Sequence, residues 1–432
     1  MTIILTMAAM MAAQGGDVLT LDQAVDIATK NAFSIRLQQS TVEKNRQKVK
    51  ENEGGLGPKV TLSGTYTRFD KEGTASFGGN TIVTSPIDTK QATASLQLPI
   101  DISGNVGRIV RASKANLVAS EETLQATQND VKLNVRKNYL SVLRAEDQVE
   151  VAKLAVVEAK ERLKNAQAER AAGSKADVDV IRIEAQVAQA ESDEIVAENQ
   201  WTLSKQSLNN VLGRPIETDF KVSHIEGLPS KPKVEVDKLA KAAQDNRPEV
   251  KALELTQEAL AFIRRAAERG MNPSLTLAIN YVRNIDAEGF SARDEQTTGT
   301  LTLNIPVFDS GVTRAQVKQA RQDEEQAKIQ TEQVRLGISL EVRQAITNLI
   351  NSSTRLEVAQ RQLKSAEENY RIAKLRLQAG EGITLEITDA LQQLTQARTG
   401  AVAARYDYWT AYSELQRAVG TDDLQKLMGG SN

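Results

Sequence analysis

Residues Pro99 to Gly213 and Pro306 to Gly420 can be laid over one another with a constant offset of 207 positions and no gap. Whatever the first stretch folds into, the second must fold into as well. The register is pinned by Ser103 and Gly104 on Ser310 and Gly311, by Leu133, Val135 and Arg136 on Leu340, Val342 and Arg343, and by Gly173 on Gly380. An earlier stretch repeats at an offset of 215, placing Asp22, Ala28 and Asn31 on Asp237, Ala243 and Asn246, Pro58 on Pro273, and Tyr66 on Tyr281. The eight-residue difference falls between Tyr66 and Pro99 and reads as a loop. A unit of about 200 residues is too long for a solenoid repeat. The pattern therefore predicts a duplicated structural half, residues 17–225 and 226–432.

Hydrophobic residues make up only 40% of the chain and aromatics 4%, which favours long helices over a thick core. The formal charge of −2 is spread without a basic stripe, so nucleic acid is not an expected partner. With no cysteine and His224 as the one histidine, thiol nucleophiles and Cys or multi-His metal centres are excluded by inventory. Catalytic residues, a metal and a cofactor are not expected, and His224 reads as a surface residue. Residues 1–16 read as a signal peptide, with the apolar run Met1 to Ala13 as its core. No other stretch approaches the ~20 apolar residues of a spanning helix. If the chain crosses a membrane, strands must do it.

In the second half Val342, Leu349, Leu356, Leu363, Tyr370 and Leu377 recur every seven residues, and Ala345, Ser352, Ala359, Ala366 and Ala373 follow at an offset of three. The first half repeats this with Val135, Val142, Val149, Val156 and Leu163, followed by Asn138, Ala145, Ala152, Ala159 and Ala166. Such a seam of alternating large and small knobs predicts long, closely packed, supercoiled helices. With no Pro or Gly between Val110 and Ala172, one helix can run about 60 residues, roughly 90 Å. Gly173 and Gly380 are placed to end these helices in left-handed turns, and return helices follow. The helical hairpins are expected at about 105–213 and 312–420.

Ahead of each hairpin the period changes from seven to two. Val60, Leu62, Gly64 and Tyr66 alternate with Thr and Ser, as do Ala92, Ala94, Leu96 and Leu98 with Thr, Ser and Gln. The second half matches with Leu275, Leu277, Ile279 and Tyr281, then Leu301, Leu303 and Ile305. Strands are expected at about 60–69, 91–99, 274–283 and 298–306. An apolar face opposite an uncharged polar face, over eight to ten residues, suits a membrane barrel; a soluble sheet packed on a helix shares the same periodicity. In lipid, four strands would leave two unpaired edges, which is prohibitive. Oligomerisation then follows, and three chains would supply twelve strands.

The order helix, strand, strand, long helix, return helix, repeated twice, resembles the TolC family of outer-membrane efflux proteins. The residues that carry the likeness are Leu21 to Val25 with Ala28 and Asn31, Gly57-Pro58 and Asn272-Pro273 before the strands, Leu98-Pro99-Ile100 and Ile305 to Gly311 after them, Gly173 to Val180 and Gly380 to Asp389 at the hairpin ends, and Ala404 to Tyr408. The resemblance implies a mainly α fold with a small β part: a homotrimer whose 12-stranded β-barrel in the outer membrane continues as an α-helical barrel across the periplasm. It implies a passive exit duct for efflux or protein secretion that contacts outer-membrane lipid, a periplasmic adaptor (membrane fusion) protein and an inner-membrane transporter. By the same resemblance Glu386 and Asp389 stand where the family constricts its pore, and stacked rings of carboxylates would favour cations. The hairpin ends, with Gly173, Ser174, Asp177, Gly380, Gly382 and Thr384, are the expected adaptor-docking surface. Some members latch the aperture with a basic residue and a tyrosine; Gly382 and Leu377 stand there instead, so no latch of that kind is expected. The competing reading is a soluble periplasmic coiled-coil scaffold or adaptor, which has no need of the strands. A hydrolase, the third class, lacks a nucleophile paired with a base.

Overall fold

The computed structural model describes residues 18–174, 176–225, 227–229, 235–285 and 293–421. The expected signal peptide lies outside the described residues. In chain order the elements are β1 (Val18–Leu19), α1 (Leu21–Asn31), α2 (Phe33–Gly54), β2 (Lys59–Arg68), β3 (Gly73–Phe77), β4 (Asn80–Ser85), β5 (Asp88–Ile100), α3 (Asn105–Ala171) and α4 (Asp177–Val211). They continue with β6 (Lys221–Val222), α5 (Val236–Asn246), α6 (Pro248–Ala267), β7 (Ser274–Ile285), β8 (Glu295–Asn304), α7 (Val312–Gln378) and α8 (Thr384–Val419). Helix pair, two sheet strands, long helix and return helix thus occur twice, as the duplication requires. Contacts group the chain into two compact units, and each draws on both halves: one takes residues up to Gln39, Thr123–Val250 and those from Gln333 on, the other Ser40–Glu122 and Lys251–Glu332.

In the first unit the heptad seams are the core. Val135, Val142, Val149, Val156, Ala145, Ala159 and Ala166 are buried on α3, as are Val342, Leu349, Leu356, Ala345, Ala359 and Ala373 on α7. Polar ties join α3 to α8 on the rim of the packing: Tyr406 donates to Asp147 at 2.8 Å, Lys137 pairs with Glu414 at 2.6 Å and Arg144 with Asp407 at 3.1 Å. Helix α1 starts in a reciprocal cap, Thr20 Oγ1 accepting from the Gln23 amide and Gln23 Oε1 from the Thr20 amide. Its buried face, Ala24 and Ala28, is small enough for close helix approach. Strands β1 and β6 pair in parallel beside it.

The second unit carries the main sheet, antiparallel throughout in the order β2-β5-β7-β8. The register keeps the period-two faces aligned across all four strands. One face stacks the rows Leu62/Ala94/Tyr281/Thr297 and Val60/Leu96/Ile279/Gly299, then Leu98/Leu277/Leu301 and Ile100/Leu275/Leu303. The other stacks Thr61/Ser95/Asn280/Thr298 and Pro99/Thr276/Thr302. Strands β2 and β8 are unpaired on their outer edges among the described residues. Strands β5, β7 and β8 run past their expected bounds at the loop end, whereas β2 keeps to its own and β8 stops at Asn304 on the other side; at the loop end Arg68, Asp88, Lys90, Arg283 and Glu295 fall on the apolar face. There Tyr66 donates to Asp88 at 2.7 Å and Arg283 approaches Glu295 at 3.9 Å.

The segment 70–90, expected as a loop, forms the hairpin β3–β4. Gly78 and Gly79, at φ 60° and 86°, supply the left-handed pair a tight two-residue turn needs. This hairpin occupies the stretch by which the first half exceeds the second.

Candidate functional site

Two helix-to-helix turns and the first turns of the return helices form the candidate site, all within the first unit. Gly173 and Gly380 both take φ 77°, which an L side chain adopts only at a penalty. In the first turn the Ser174 amide donates to Glu169 O at 2.9 Å and the Gly173 amide to Arg170 O at 2.9 Å, closing the last carbonyls of α3. In the second, the Glu381 and Gly382 amides both reach Arg376 O at 3.0 Å. A Cβ on Gly382 would stand 2.9 Å from Leu377 N and 3.2 Å from Arg376 C, so a latching side chain at this position would displace the turn itself.

The expected residues divide into separate groups. Ser174 caps Glu169 O through Oγ at 2.9 Å, and Asp177, in the first turn of α4, pairs with Arg170 at 2.5 Å; both are exposed at the first turn. Thr384 opens α8 and its carbonyl accepts from Thr388 Oγ1 at 2.8 Å. Glu386 and Asp389 are exposed one turn apart on α8. Glu386 pairs with Arg376, in the last turn of α7, at 3.5 Å, whereas Asp389 has no ion pair among the described residues. The negative charge of the pair is therefore concentrated at Asp389.

Beside these acids is a residue that sequence reasoning passed over. Arg162 of α3 is 9% exposed, yet its guanidinium meets no carboxylate among the described residues. It donates to Thr388 Oγ1 at 2.6 Å and to Gln186 Oε1 at 3.4 Å, tying α3 to both return helices. Burial lowers its pKa, against the opposing influence of Tyr370. Burial likewise raises the Tyr370 phenol, with Glu158 adding to the effect. Arg162 and Tyr370 line a cleft of about 350 Å³ with Lys374 and Leu377. The available signal was the repeat itself, which places uncharged Asn369 opposite Arg162. Two wider grooves run nearby: one of about 660 Å³ along Ala152, Ala155, Ala159 and Ala190, and one of about 840 Å³ between α7 and α8. His224 is exposed, 3.6 Å from Glu146 and 4.0 Å from Asp147.

No group of His, Cys, Asp and Glu among the described residues is arranged to hold a metal. What the geometry offers is a helical wall with grooves and a carboxylate-bearing end. The sequence pattern of the outer membrane efflux proteins matches residues 24–214 and 239–421, most of both halves. The chain belongs to the outer membrane efflux protein family. It is similar to the outer membrane protein TolC of Vibrio cholerae, 26% identical over 309 residues that cover 70% of each chain. It is also similar to the cobalt-zinc-cadmium resistance protein CzcC of Cupriavidus metallidurans, 25% identical over 77% of this chain and 78% of that one. In fold it resembles the CmeC outer membrane channel of Campylobacter jejuni, with a TM-score of 0.79 over 93% of this chain and 85% of that one at 18% identity. The protein is accordingly placed in the outer membrane, in a family of efflux and secretion channels rather than enzymes. Family membership removes the soluble scaffold reading.

Proposed function

We propose that this chain is one third of a trimeric, passive exit duct that receives its cargo from an inner-membrane transporter through a periplasmic adaptor. The observation that carries the reading is the four-stranded sheet with two free edges. Its faces are separately apolar and polar from the row Leu62/Ala94/Tyr281/Thr297 to the row Ile100/Leu275/Leu303, so lipid can meet one and water the other. Unpaired N–H and C=O groups at β2 and β8 cannot stay open in hydrocarbon, and copies of the same chain supply the complementary edges. A closed wall of twelve strands results, four from each chain. Energy comes from the transporter, and the duct itself is passive.

Glu386 and Asp389 are assigned to the pore constriction. Repeated by threefold symmetry, Asp389, which has no ion pair among the described residues, gives a ring of charges, while Arg376 offsets Glu386. The turns at Gly173, Ser174 and Asp177 and at Gly380, Gly382 and Thr384, with the inter-helical grooves beside them, are assigned to adaptor docking. Single-channel recording of the purified protein in a planar bilayer tests the duct and its constriction. Wild type is expected to conduct with a preference for cations, Asp389→Asn to lose most of it, and Glu386→Gln to lose less. Unchanged ion preference in the double variant removes the constriction assignment, and a water-soluble monomer that forms no channel removes the duct.

A further inference from the structure

Arg162 brings more to its place than the packing there requires. Its bond to Gln186 ties α3 to α4 across the first hairpin, and the repeat makes the same tie in the second half between Asn369 and Gln393, at 3.3 Å. An uncharged amide therefore suffices for that purpose. A guanidinium has five N–H groups and a charge it cannot lose. Two of its N–H groups reach acceptors, on Gln186 and Thr388, and the other three meet none among the described residues. The acids on α3 are engaged elsewhere or distant. Glu158, one turn earlier, pairs with Arg398 at 3.4 Å, and Glu161 pairs with Lys374 at 3.4 Å. Glu169 lies two turns further on, roughly 10 Å along the helix at 1.5 Å per residue. A buried cation that nothing balances is costly to keep.

Beside these donors is the cleft of about 350 Å³. Helices α3 and α4 close on one another through a small cluster around Ala166 and Ile183, and α7 and α8 through another around Ala373 and Ile387. The two clusters stay separate, and the cleft is lined from both: Ala166 and Ile183 on one side, Ile387 and Leu377 on the other. Arg162 and Tyr370 share that lining, and the Tyr370 hydroxyl makes no hydrogen bond among the described residues. A concave, mainly apolar space on which a few polar donors converge is the form of a small-molecule site, for which about 300–1,000 Å³ is usual. One turn of helix, 10–12 Å across and 5.4 Å tall, fills roughly 400–600 Å³. The cleft is thus too small for a partner helix, unlike the two wider grooves.

We infer that this cleft binds a small organic monocarboxylate, its carboxylate on the free N–H groups of Arg162 and the Tyr370 hydroxyl, its apolar body between Ile183 and Ile387. A planar guanidinium matches a carboxylate in geometry as well as in charge. One buried cation balances one negative charge. The exposed Glu161 and Glu169, also on the lining, oppose a second, so a dianion such as phosphate is disfavoured. The bound molecule touches α3 through Arg162 and α7 through Tyr370, and so fastens the two long hairpins to each other. Because it binds the folded arrangement, its occupancy steadies that arrangement by mass action. The site is separate from the duct reading and does not depend on it.

The test uses benzoate as the probe and benzamide as its uncharged counterpart, each titrated into the purified protein at neutral pH in a calorimeter. One benzoate per chain is expected, with benzamide at least about tenfold weaker. Arg162→Gln keeps an amide at the position where Asn369 serves the second half, and is expected to bring benzoate down to the level of benzamide. Arg162→Lys should keep part of the preference, and Tyr370→Phe should weaken benzoate about three- to tenfold. Benzoate should also slow hydrogen exchange in α3 and α7 of the wild type and leave Arg162→Gln unaffected. A merely structural arginine would change stability without changing the ratio of the two affinities. Equal affinity for the two probes, a preference that survives in Arg162→Gln, or no binding to the wild type overturns the site. Crystals grown with 4-bromobenzoate give the position directly: the bromine is expected between Ile183 and Ile387. A carboxylate of a second copy of the chain found on Arg162 instead overturns the ligand and assigns the arginine to subunit contact.

Discussion

The two halves close the same joint with different chemistry. In each, a return helix ends in a glycine against the break between the two short helices of its own half: Gly213 against α1 and α2, Gly420 against α5 and α6. In the first half the joint is apolar and organised by one phenol. Tyr139 is fully buried; its hydroxyl stands 2.8 Å from Leu19 O and 2.7 Å from Ser223 O and accepts from the Ser223 amide at 3.0 Å. It thereby pins β1 and β6 to α3. The repeat puts Ile346 at that position in the second half, where the joint is ionic instead. Arg247, 4% exposed, pairs with Glu249 at 2.7 Å and with Glu341. Arg417 binds Glu341, Glu249 and Asp130. The first-half counterparts of Arg247, Glu249, Glu341 and Arg417 are Ala32, Ser34, Asn134 and Asn210, none of them charged. Duplication preserved the backbone geometry and left the means of fastening free to diverge.

The sharpest way to break this comparison is at the glycines. Both have positive φ, 68° at Gly213 and 78° at Gly420. A Cβ on Gly213 would stand 2.6 Å from Asn31 O, a backbone atom that cannot move without its helix; on Gly420 it would meet the flexible Arg247 Cγ at 3.2 Å. Gly213→Ala is expected to destabilise by about 2–4 kcal/mol, the left-handed penalty plus a forced backbone shift. Gly420→Ala should cost only about 1 kcal/mol, the left-handed penalty alone. Hydrogen exchange of α1 and α5 in the purified protein reads each joint separately. Equal losses in the two variants would show that the packing difference is unimportant.

Removing the fastening side chains should give intermediate effects of opposite location. Arg247→Ala withdraws the buried cation from Glu249 and Glu341, but both acids are partly exposed and Arg417 still touches them, so about 2 kcal/mol is expected. Tyr139→Phe keeps the packing and removes one hydroxyl with three backbone partners, for about 1–2 kcal/mol. The first variant should loosen α5 and α6 and leave α1 protected; the second should do the reverse. A loss spread evenly over both joints would mean that they open as one.

Much of this architecture is legible in the sequence because it rests on periodicities that local chemistry enforces. The seven-residue seams became the buried faces of α3 and α7, and the alternating runs became the rows of β2, β5, β7 and β8. Gly173 and Gly380 could be read as helix ends because only glycine takes their backbone conformation cheaply. The hairpin β3–β4 was hidden by its polarity, although its Gly78-Gly79 turn stood in plain view. Arg162 and the Arg247 network were not legible for a deeper reason. A helix surface rich in charge does not reveal which single arginine another helix, 226 positions away at Thr388, will bury. The caps show how residue and role can drift apart within an ungapped repeat. Asp101 binds the Asn105 and Gly107 amides, while the second-half cap is Asp309, one position later than the strict register; Phe308 occupies the aligned site.

The finest difference between the joints is their response to pH, and the signs are opposite. Burial opposes ionisation of Glu249, but the hydrogen bond and attraction from Arg247 outweigh it and hold the carboxyl below its ordinary value of 4.5. A lowered folded pKa contributes stability that is present above about 4.5 and lost as pH falls through the folded value. Burial raises the Tyr139 phenol from 10.0 to about 12. A raised folded pKa contributes stability that is complete below 10 and lost as pH rises through about 12. Acid should therefore loosen α5 before α1, and strong alkali α1 before α5, when exchange is corrected for its intrinsic rate. Glu249→Gln should flatten the acid limb because the variant has no charge left to lose, and Tyr139→Phe should do the same to the alkaline limb. If both joints weaken together at either extreme, the ionic and phenolic fastenings are equivalent in practice, and the divergence of the two halves has no consequence for how the hairpins are held.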